Sequence, residues 1–275
     1  MSAAHIFTPS RAGEAMRIKR AFLHPAADVA ACIGFFTRLP VPLPLPVTVT
    51  ERPFAASLWA APVAGAAIGF FAGLILLAAM ALGIPVSAAS LLALAASVAI
   101  TGALHEDGLA DMADGCGGAT RENKLAIMRD SRIGSYGVLA LILSALARWT
   151  ALDAIASAST SAAIVLALIA AHTASRAVLP AFMAYVPVAR TDGLSAGFGT
   201  VPQQAAVIAL GLGFLALIPL GLGFAIFTAA LLLANFFLMD WFCRRQIGGQ
   251  TGDVLGALQQ TSEIAVFFIL AGFLK

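Results

Sequence analysis

Long hydrophobic runs, separated by short polar loops, dominate this chain. The segments Phe54–Leu82 and Leu194–Met239 contain no Asp, Glu, Lys or Arg. Because a helix needs about 20 apolar residues to cross a membrane, the second run is long enough for two crossings. The pattern predicts six transmembrane helices, over residues 54–82, 86–104, 134–153, 162–186, 203–220 and 222–241.

Two further apolar segments are too short to be clear crossings. Residues 27–42 end in FFTRLPVP and favour a re-entrant or interfacial segment, whereas residues 263–275 predict at most a last partial span. The predicted fold is an all-α, polytopic integral membrane bundle of six to seven transmembrane helices. We expect a polar cytoplasmic tail over 1–26 and a single membrane-embedded catalytic domain over 27–275.

The composition excludes an ordinary soluble protein. Hydrophobic residues make up 60% of the chain and charged residues only 11%, whereas soluble domains carry about 25% charged residues. The net charge of +2 gives no reason to expect a nucleic-acid partner. The three cysteines, Cys32, Cys116 and Cys243, are far apart, which argues against a disulfide framework or a zinc knuckle.

The basic residues near the predicted helix ends fall on alternate loops. They are Arg121, Lys124, Arg129 and Arg132 after the second helix, Arg190 after the fourth, and Arg244 and Arg245 after the sixth. The connections near residues 83–85, 154–161 and 220–223 contain no Lys or Arg. Because basic loops stay in the cytoplasm, we expect these loops, and any chemistry on them, to face the cytoplasm.

The segment 102–137 is the strongest candidate for chemistry, because it holds six of the fourteen acidic residues. Asp107, Asp111 and Asp114 have the spacing i, i+4, i+7, which places three carboxylates on one face of a helix. A hard cation such as Mg²⁺ or Mn²⁺ would relieve their repulsion. The alternative is a solvated polar face at a helix end.

The neighbours of these carboxylates extend the candidate site. Glu106 lies at the rim of the acidic face, and His105 is a candidate proton acceptor. Further along, Arg129 and Arg132 flank Asp130 and Ser131, a pattern typical of a phosphate clamp. Positive-inside anchoring of the third helix would also explain Arg132.

Three other groups of polar residues are candidates for binding an anionic substrate. Inside the predicted fourth helix, His172 and Arg176 form an ionisable pair at i, i+4, which within a span suggests function. The loop after the sixth helix supplies Arg244, Gly248, Gly249, Thr251 and Asp253, and Arg38 follows the first apolar segment. By contrast, Arg148 and Asp153 are expected to lie near the outer end of the third helix, where long side chains reach the interface.

Four motifs together resemble the cobalamin synthases, the adenosylcobinamide-GDP ribazoletransferases. They are FFTRLPVP, HEDGLADMADGCGG, IMRDSRIGSYG and GGQTGDVLGA, and they occur in the family's order over most of the chain after about residue 28. The resemblance implies a multi-pass, Mg²⁺-dependent enzyme of the bacterial cytoplasmic (inner) membrane, with its active site on the cytoplasmic face. Such an enzyme joins adenosylcobinamide-GDP to α-ribazole, or to its 5′-phosphate, and releases GMP. This is the last stage of nucleotide loop assembly in cobalamin biosynthesis, and a homo-oligomer is compatible with it.

The resemblance also implies roles for individual residues. Its motifs place metal and pyrophosphate contacts at Glu106, Asp107, Asp111, Asp114, Arg129, Asp130, Arg132 and Asp253. Asp107 and Asp111 are expected as metal ligands, and Asp114 as a ligand or the general base. The AHTASR stretch that contains His172 and Arg176 is also similar to the family.

Two other classes of protein remain as alternatives. A CDP-alcohol phosphotransferase also carries an acidic motif at a helix end, usually D-x₂-D-G-x₂-A-R. Here Asp107-Gly108-Leu109-Ala110 is followed by Asp111 rather than by Ala-Arg, and no Asp lies three residues before Asp107. An ion-coupled transporter would instead place its carboxylates near the middle of the bilayer, whereas here they lie at a predicted helix end beside a basic loop.

Overall fold

A computed structural model of the protein describes residues 25–41, 53–193 and 197–273. In these residues the chain forms helices and turns without a β-strand, apart from one isolated backbone bridge. We number the described α-helices α1 (Pro25–Phe36), α2 (Ala61–Ala81), α3 (Val86–Thr101), α4 (Leu104–Gly115), α5 (Arg121–Ile127), α6 (Ser135–Ala158), α7 (Ser161–Tyr185), α8 (Gln203–Leu217), α9 (Leu222–Ile247) and α10 (Gly252–Phe273). Most of the predicted tail over 1–26 lies outside the described residues.

The predicted membrane bundle is confirmed. Among the described residues, six helical segments are long and apolar enough to cross a membrane, or seven if the bent pair α3–α4 counts as one span. The six are Phe54–Ala81, Ser135–Ala158, Ser161–Tyr185, Gln203–Leu220, Leu222–Ile247 and Gly252–Phe273. The first includes a 3-10 helix, Phe54–Ala60, ahead of α2, and the fourth ends in a short 3-10 turn after α8.

The expectation of a partial span over 263–275 is wrong. Helix α10 begins at Gly252 and has 22 residues, enough for a full crossing. Gln259, Gln260 and Glu263 interrupt its apolar pattern, and this hid the helix in the sequence. All three are buried, because they hydrogen-bond inside the bundle rather than facing lipid.

The helix predicted over 86–104 ends three residues earlier than expected, and the chain bends sharply after it. Helix α3 ends at Thr101, and α4 then leaves at 88° to it. Gly102 and Ala103 make this corner with φ angles of 63° and 57°. A left-handed backbone is readily adopted by glycine, but it costs an alanine about 1–2 kcal/mol. The acidic helix α4 therefore runs across the direction of α3 and does not continue it.

Small residues hold α2 against α7. A β-carbon at Gly65 would lie 2.2 Å from the His172 carbonyl oxygen, and one at Gly69 would lie 2.4 Å from that of Leu168. Such close backbone approach is typical of glycine-lined interfaces between membrane helices. This contact between α2 and α7 supports the part of α7 that carries His172 and Arg176.

The first apolar segment forms the 12-residue helix α1, at about 1.5 Å per residue too short to span a bilayer. Its buried Asp28 accepts hydrogen bonds from Ser57 at 2.8 Å and Trp59 at 2.9 Å, which tie α1 to the 3-10 helix ahead of α2. After α1, the Arg38 amide donates to the Ile100 carbonyl at 2.7 Å. The end of α1 is thereby fixed beside the corner that begins α4.

Candidate active site

The three basic loops meet on one side of the bundle. The Arg121 guanidinium, at the start of α5, donates to the carbonyls of Ile247 and Ala189, each at 2.7 Å. Val188 and Gln250 form the isolated parallel bridge. The loops after α4, α7 and α9 are therefore in direct contact, as their shared positive charge predicted.

Glu106 and Asp107 are adjacent in α4, but their environments differ completely. Glu106 is buried, and one of its carboxylate oxygens accepts a hydrogen bond from Arg148 at 2.9 Å. Asp107 is exposed and lines a cavity at the loop side of the bundle. Because successive side chains on a helix point about 100° apart, Glu106 points into the interior of the bundle while Asp107 faces the site. Glu106 therefore does not lie with the other predicted metal ligands.

Glu106 belongs to a buried network of charged side chains. Its centre is Glu263 of α10, which lies 2.9 Å from His172 Nδ1, 3.3 Å from Arg176 Nη1 and 3.4 Å from Arg148 Nη1. All of these side chains are at most 4% exposed. A buried charge is tolerated when it is paired in this way.

This network changes the interpretation of three residues. Arg148 does not reach an outer interface, as we expected, because it pairs with Glu106 and Glu263 in the interior. The predicted substrate contacts His172 and Arg176 are likewise occupied by Glu263. They form a structural support below the acidic helix.

Asp107, Asp111 and Asp253 form the acidic cluster that faces the site. The carboxylate of Asp111 is partly buried and experiences repulsion from Asp107, Asp253 and, more weakly, Asp114, opposed by attraction from Arg190. The close approach of α4 and α10 depends on Gly108, because a β-carbon there would lie 3.0 Å from Asp253 Cα. Asp107 and Asp253 line the same cavity.

Asp114, the third acid of the predicted stripe, is mainly engaged with backbone. Its buried carboxylate accepts hydrogen bonds from the amides of Gly134 at 2.7 Å and Gly137 at 2.8 Å. These amides begin α6, where unpaired N–H groups and the helix dipole favour a negative charge. A β-carbon at either glycine would lie within 2.5 Å of the Asp114 carboxylate. Asp114 therefore holds the start of α6 against the end of α4.

The glycine-rich loop before α10 packs against protein rather than leaving its backbone open. A β-carbon at Gly249 would lie 2.2 Å from the Pro187 carbonyl oxygen. Gly248 ends α9 with a φ of 84°, beside the Arg121 guanidinium. The buried Thr251 hydroxyl donates to Asp253 Oδ2 at 3.1 Å. These predicted substrate-binding residues shape the loop and orient Asp253.

Arg190 is a site residue that sequence reasoning did not select. Its Nη2 lies 3.7 Å from Asp253 Oδ2, and its buried Nη1 has no hydrogen-bond partner among the described residues. The only sequence signal was its place in a basic loop. Its guanidinium has donor capacity left for an anion beside the acidic cluster.

The predicted phosphate clamp after α5 is divided between two ion pairs. Arg129 donates to both carboxylate oxygens of Asp192, at 2.6 and 2.7 Å, while Arg132 pairs with Asp130 at 2.6 Å. Hydrogen bonds from Arg132 lower the pKa of Asp130 to about 2. Ser131 between them is exposed. Asp192 follows Arg190 closely in the chain, so Arg129 lies on the same side as the cluster.

Two remaining predicted anion contacts are exposed at the edges of this side. The Arg38 side chain covers the corner before α4, where its Nε would lie 2.4 Å from a β-carbon at Gly102. Arg244 pairs with Asp240 one turn earlier in α9 and lies over the Tyr185 ring.

The donor chemistry of the acidic cluster fits Mg²⁺ without forming a complete cage. Within residues 25–41, 53–193 and 197–273, no three His, Cys, Asp or Glu side chains are arranged to hold a metal ion. Mg²⁺ keeps several waters and is commonly bound through one or two carboxylates together with substrate phosphates. The mutually repelling Asp107, Asp111 and Asp253 supply oxygen donors of the right kind.

Comparison with known proteins identifies the family. The cobalamin-5-phosphate synthase family matches residues 28–271. The chain belongs to this family. Family membership agrees with the four motifs and with the helical bundle, and it decides against the phospholipid-type transferase and the ion-coupled transporter.

Relatives of the family match the chain over nearly all of their length. Two proteins, from Mesorhizobium japonicum and Bradyrhizobium diazoefficiens, are each 49% identical, over 88% and 90% of this chain and over 92% and 94% of their own lengths. One from Azorhizobium caulinodans is 46% identical over 87% of this chain and 93% of its own length. All three are named adenosylcobinamide-GDP ribazoletransferase. No solved structure matches the chain.

Proposed function

We propose that this protein is an adenosylcobinamide-GDP ribazoletransferase whose reaction centre is formed by Asp107, Asp111, Asp253 and Arg190. The observation that carries the proposal is the acidic cluster beside a guanidinium with a free donor, in a chain of this family. The substrates are adenosylcobinamide-GDP and α-ribazole or its 5′-phosphate. The products are GMP and adenosylcobalamin or its 5′-phosphate.

The reaction is a phosphoryl transfer in which one bond to phosphorus replaces another. The ribose 3′-hydroxyl of α-ribazole attacks the phosphorus on the cobinamide side of the pyrophosphate. The bond from that phosphorus to the bridging oxygen breaks, and GMP leaves with this oxygen. The hydroxyl proton passes to a carboxylate, and Asp107 and Asp253 are the two that line the cavity beside the cluster.

Charge neutralisation is the main requirement of such a transfer, because the pyrophosphate is anionic throughout. Asp107 and Asp111 would hold Mg²⁺, which when bound supplies positive charge to the phosphate oxygens. Arg190 donates to the same anion through its free Nη1 while Asp253 orients it. Arg129 and Arg132 become available when the anion replaces Asp192 and Asp130, their present partners on the exposed loops.

We propose that this side of the bundle faces the cytoplasm of a bacterial inner membrane. Its three basic loops support that orientation. The corrinoid is too large for the cavity beside Asp107 and would lie over the loops. The buried network of Glu106, Arg148 and Glu263 supports the floor of the site.

GMP release tests the proposed reaction. Protein reconstituted in lipid should release GMP from adenosylcobinamide-GDP only when α-ribazole and Mg²⁺ are both present. A chelator control and a control without α-ribazole separate transfer from hydrolysis of the pyrophosphate. GMP release that does not exceed the chelator control would contradict the proposal.

A further inference from the structure

The cavity beside Asp107 has aromatic walls that the phosphoryl transfer itself does not require. It has a volume of about 120 Å³. Phe35 and Phe36, from the FFTRLPVP motif, line it together with Phe198. The ring centres of Phe35 and Phe198 lie 5.1 Å apart in an edge-to-face arrangement, and those of Phe35 and Phe36 lie 4.9 Å apart. Such a wall suits a flat apolar ligand.

His105 is a buried polar side chain in the wall of this cavity. Its ring stacks on Phe36, with planes 5° apart and ring centres separated by 5.8 Å. The side chain is 3% exposed, and neither ring nitrogen has a hydrogen-bond partner in the described part of the chain. Because a buried polar group is normally hydrogen-bonded, the imidazole is available to a ligand.

We propose that this cavity binds the bicyclic aromatic base of α-ribazole and that His105 hydrogen-bonds to it. The inference rests on the proposed function, which supplies the nucleoside. The base would pack among Phe36, Phe198 and Met183, and its unsubstituted ring nitrogen would accept the imidazole N–H. The attached ribose would then lie at Asp107 and Asp253, where its hydroxyl is needed. His105 is thus a positioning residue, in place of its predicted role as a proton acceptor.

The chemistry of the cavity favours this base over the other large groups in the reaction. A corrin ring cannot enter a space of this volume. Guanine presents several acceptors at its edges as well as donors. The side chains that line the cavity offer a single donor, His105, because Asp107 and Asp253 accept and the others are apolar, so guanine acceptors would be left unpaired. The base of α-ribazole is a benzimidazole, which has one free acceptor nitrogen and two apolar faces. The single imidazole N–H of His105 can satisfy that nitrogen, and the aromatic walls can pack against the two faces.

Two variants test the base site from opposite directions. Met183→Trp should fill the cavity, and His105→Phe should remove the hydrogen bond without filling it. Each should raise the KM for α-ribazole by about tenfold or more and leave the KM for adenosylcobinamide-GDP within about twofold. Leu82→Trp, at an exposed turn between α2 and α3, is the matched control and should change neither.

Direct binding of α-ribazole separates this inference from the proposed function. Full-length protein in lipid nanodiscs should bind α-ribazole, and both variants should weaken that binding while the control does not. If the wild type binds α-ribazole but releases no GMP, the proposed reaction fails and the base site stands. If both variants bind α-ribazole as tightly as the wild type, or raise only the KM for adenosylcobinamide-GDP, the base site is wrong. If size-exclusion chromatography shows that one variant is misfolded, binding of α-ribazole to the other variant decides between these outcomes.

Discussion

Glu106 accepts a 2.9 Å hydrogen bond from Arg148 inside the bundle, although it precedes the exposed Asp107 directly in the chain. The acidic helix is thus anchored by one carboxylate and presents the next to the site. Arg148 also contacts Glu263, so α4, α6 and α10 meet at one buried group of charges. The position of the reaction centre depends on this anchoring.

Removal of Arg148 should destabilise the protein strongly. Arg148→Leu removes the cation that pairs with Glu106 and leaves this buried carboxylate with the neutral Gln260 amide as its remaining partner among the described residues. Glu263 also loses one of its cations. Breaking a buried ion pair in this way typically costs about 3–5 kcal/mol. Thermal unfolding in detergent should show a clear fall in melting temperature. Arg132→Leu removes an exposed guanidinium and is the control, for which little change is expected. Equal melting temperatures for the two variants would show that the network does not support the fold.

Gly108→Ala should separate α4 from α10. The new β-carbon would lie 3.0 Å from both Cα and the carbonyl oxygen of Asp253, and neither backbone atom can rotate away. We expect a destabilisation of about 1–3 kcal/mol from overpacking and a fall in kcat. Gly211→Ala is the matched control, because its β-carbon has no neighbour within 4 Å. That control should be neutral or stabilising, and a Gly108→Ala variant with the same behaviour would refute the close contact.

Asp114→Ala tests whether this acid holds the start of α6. The amides of Gly134 and Gly137 would lose their acceptor, at about 1–3 kcal/mol for each buried group left unpaired. The melting temperature should fall, while the Mg²⁺ concentration that half-activates the residual reaction should stay near the wild-type value. A large rise in that concentration with an unchanged melting temperature would instead make Asp114 a metal ligand.

Arg190→Gln should weaken the binding of the pyrophosphate substrate. Its guanidinium faces Asp253 and retains a free donor, so we expect a higher KM for adenosylcobinamide-GDP with little change for α-ribazole. Arg245→Gln is a suitable control, since Arg245 lies over the Trp241 ring. The same KM values for Arg190→Gln and the wild type would remove Arg190 from the site.

The hydrophobic pattern predicted the membrane bundle because lipid-facing helices must be apolar along most of their length. It failed for α10, where Gln259 and Glu263 break the pattern but find partners inside the bundle. The spacing of the acids in α4 predicted that three carboxylates share one face, and two of them, Asp107 and Asp111, belong to the acidic cluster. It could not show that Asp114 bonds to backbone amides or that His105 lines a cavity. These roles depend on contacts between residues that are distant in sequence.

The central claim, that the acids of α4 and α10 form the reaction centre, is tested most directly by GMP release from three Asp→Asn variants. Asp107→Asn and Asp253→Asn should each lower the rate at saturating substrates and Mg²⁺ by about a hundredfold or more, with melting temperatures close to that of the wild type. Asp153→Asn, near the far end of α6, should keep the wild-type rate. Near-wild-type rates for Asp107→Asn and Asp253→Asn in folded protein would contradict the account.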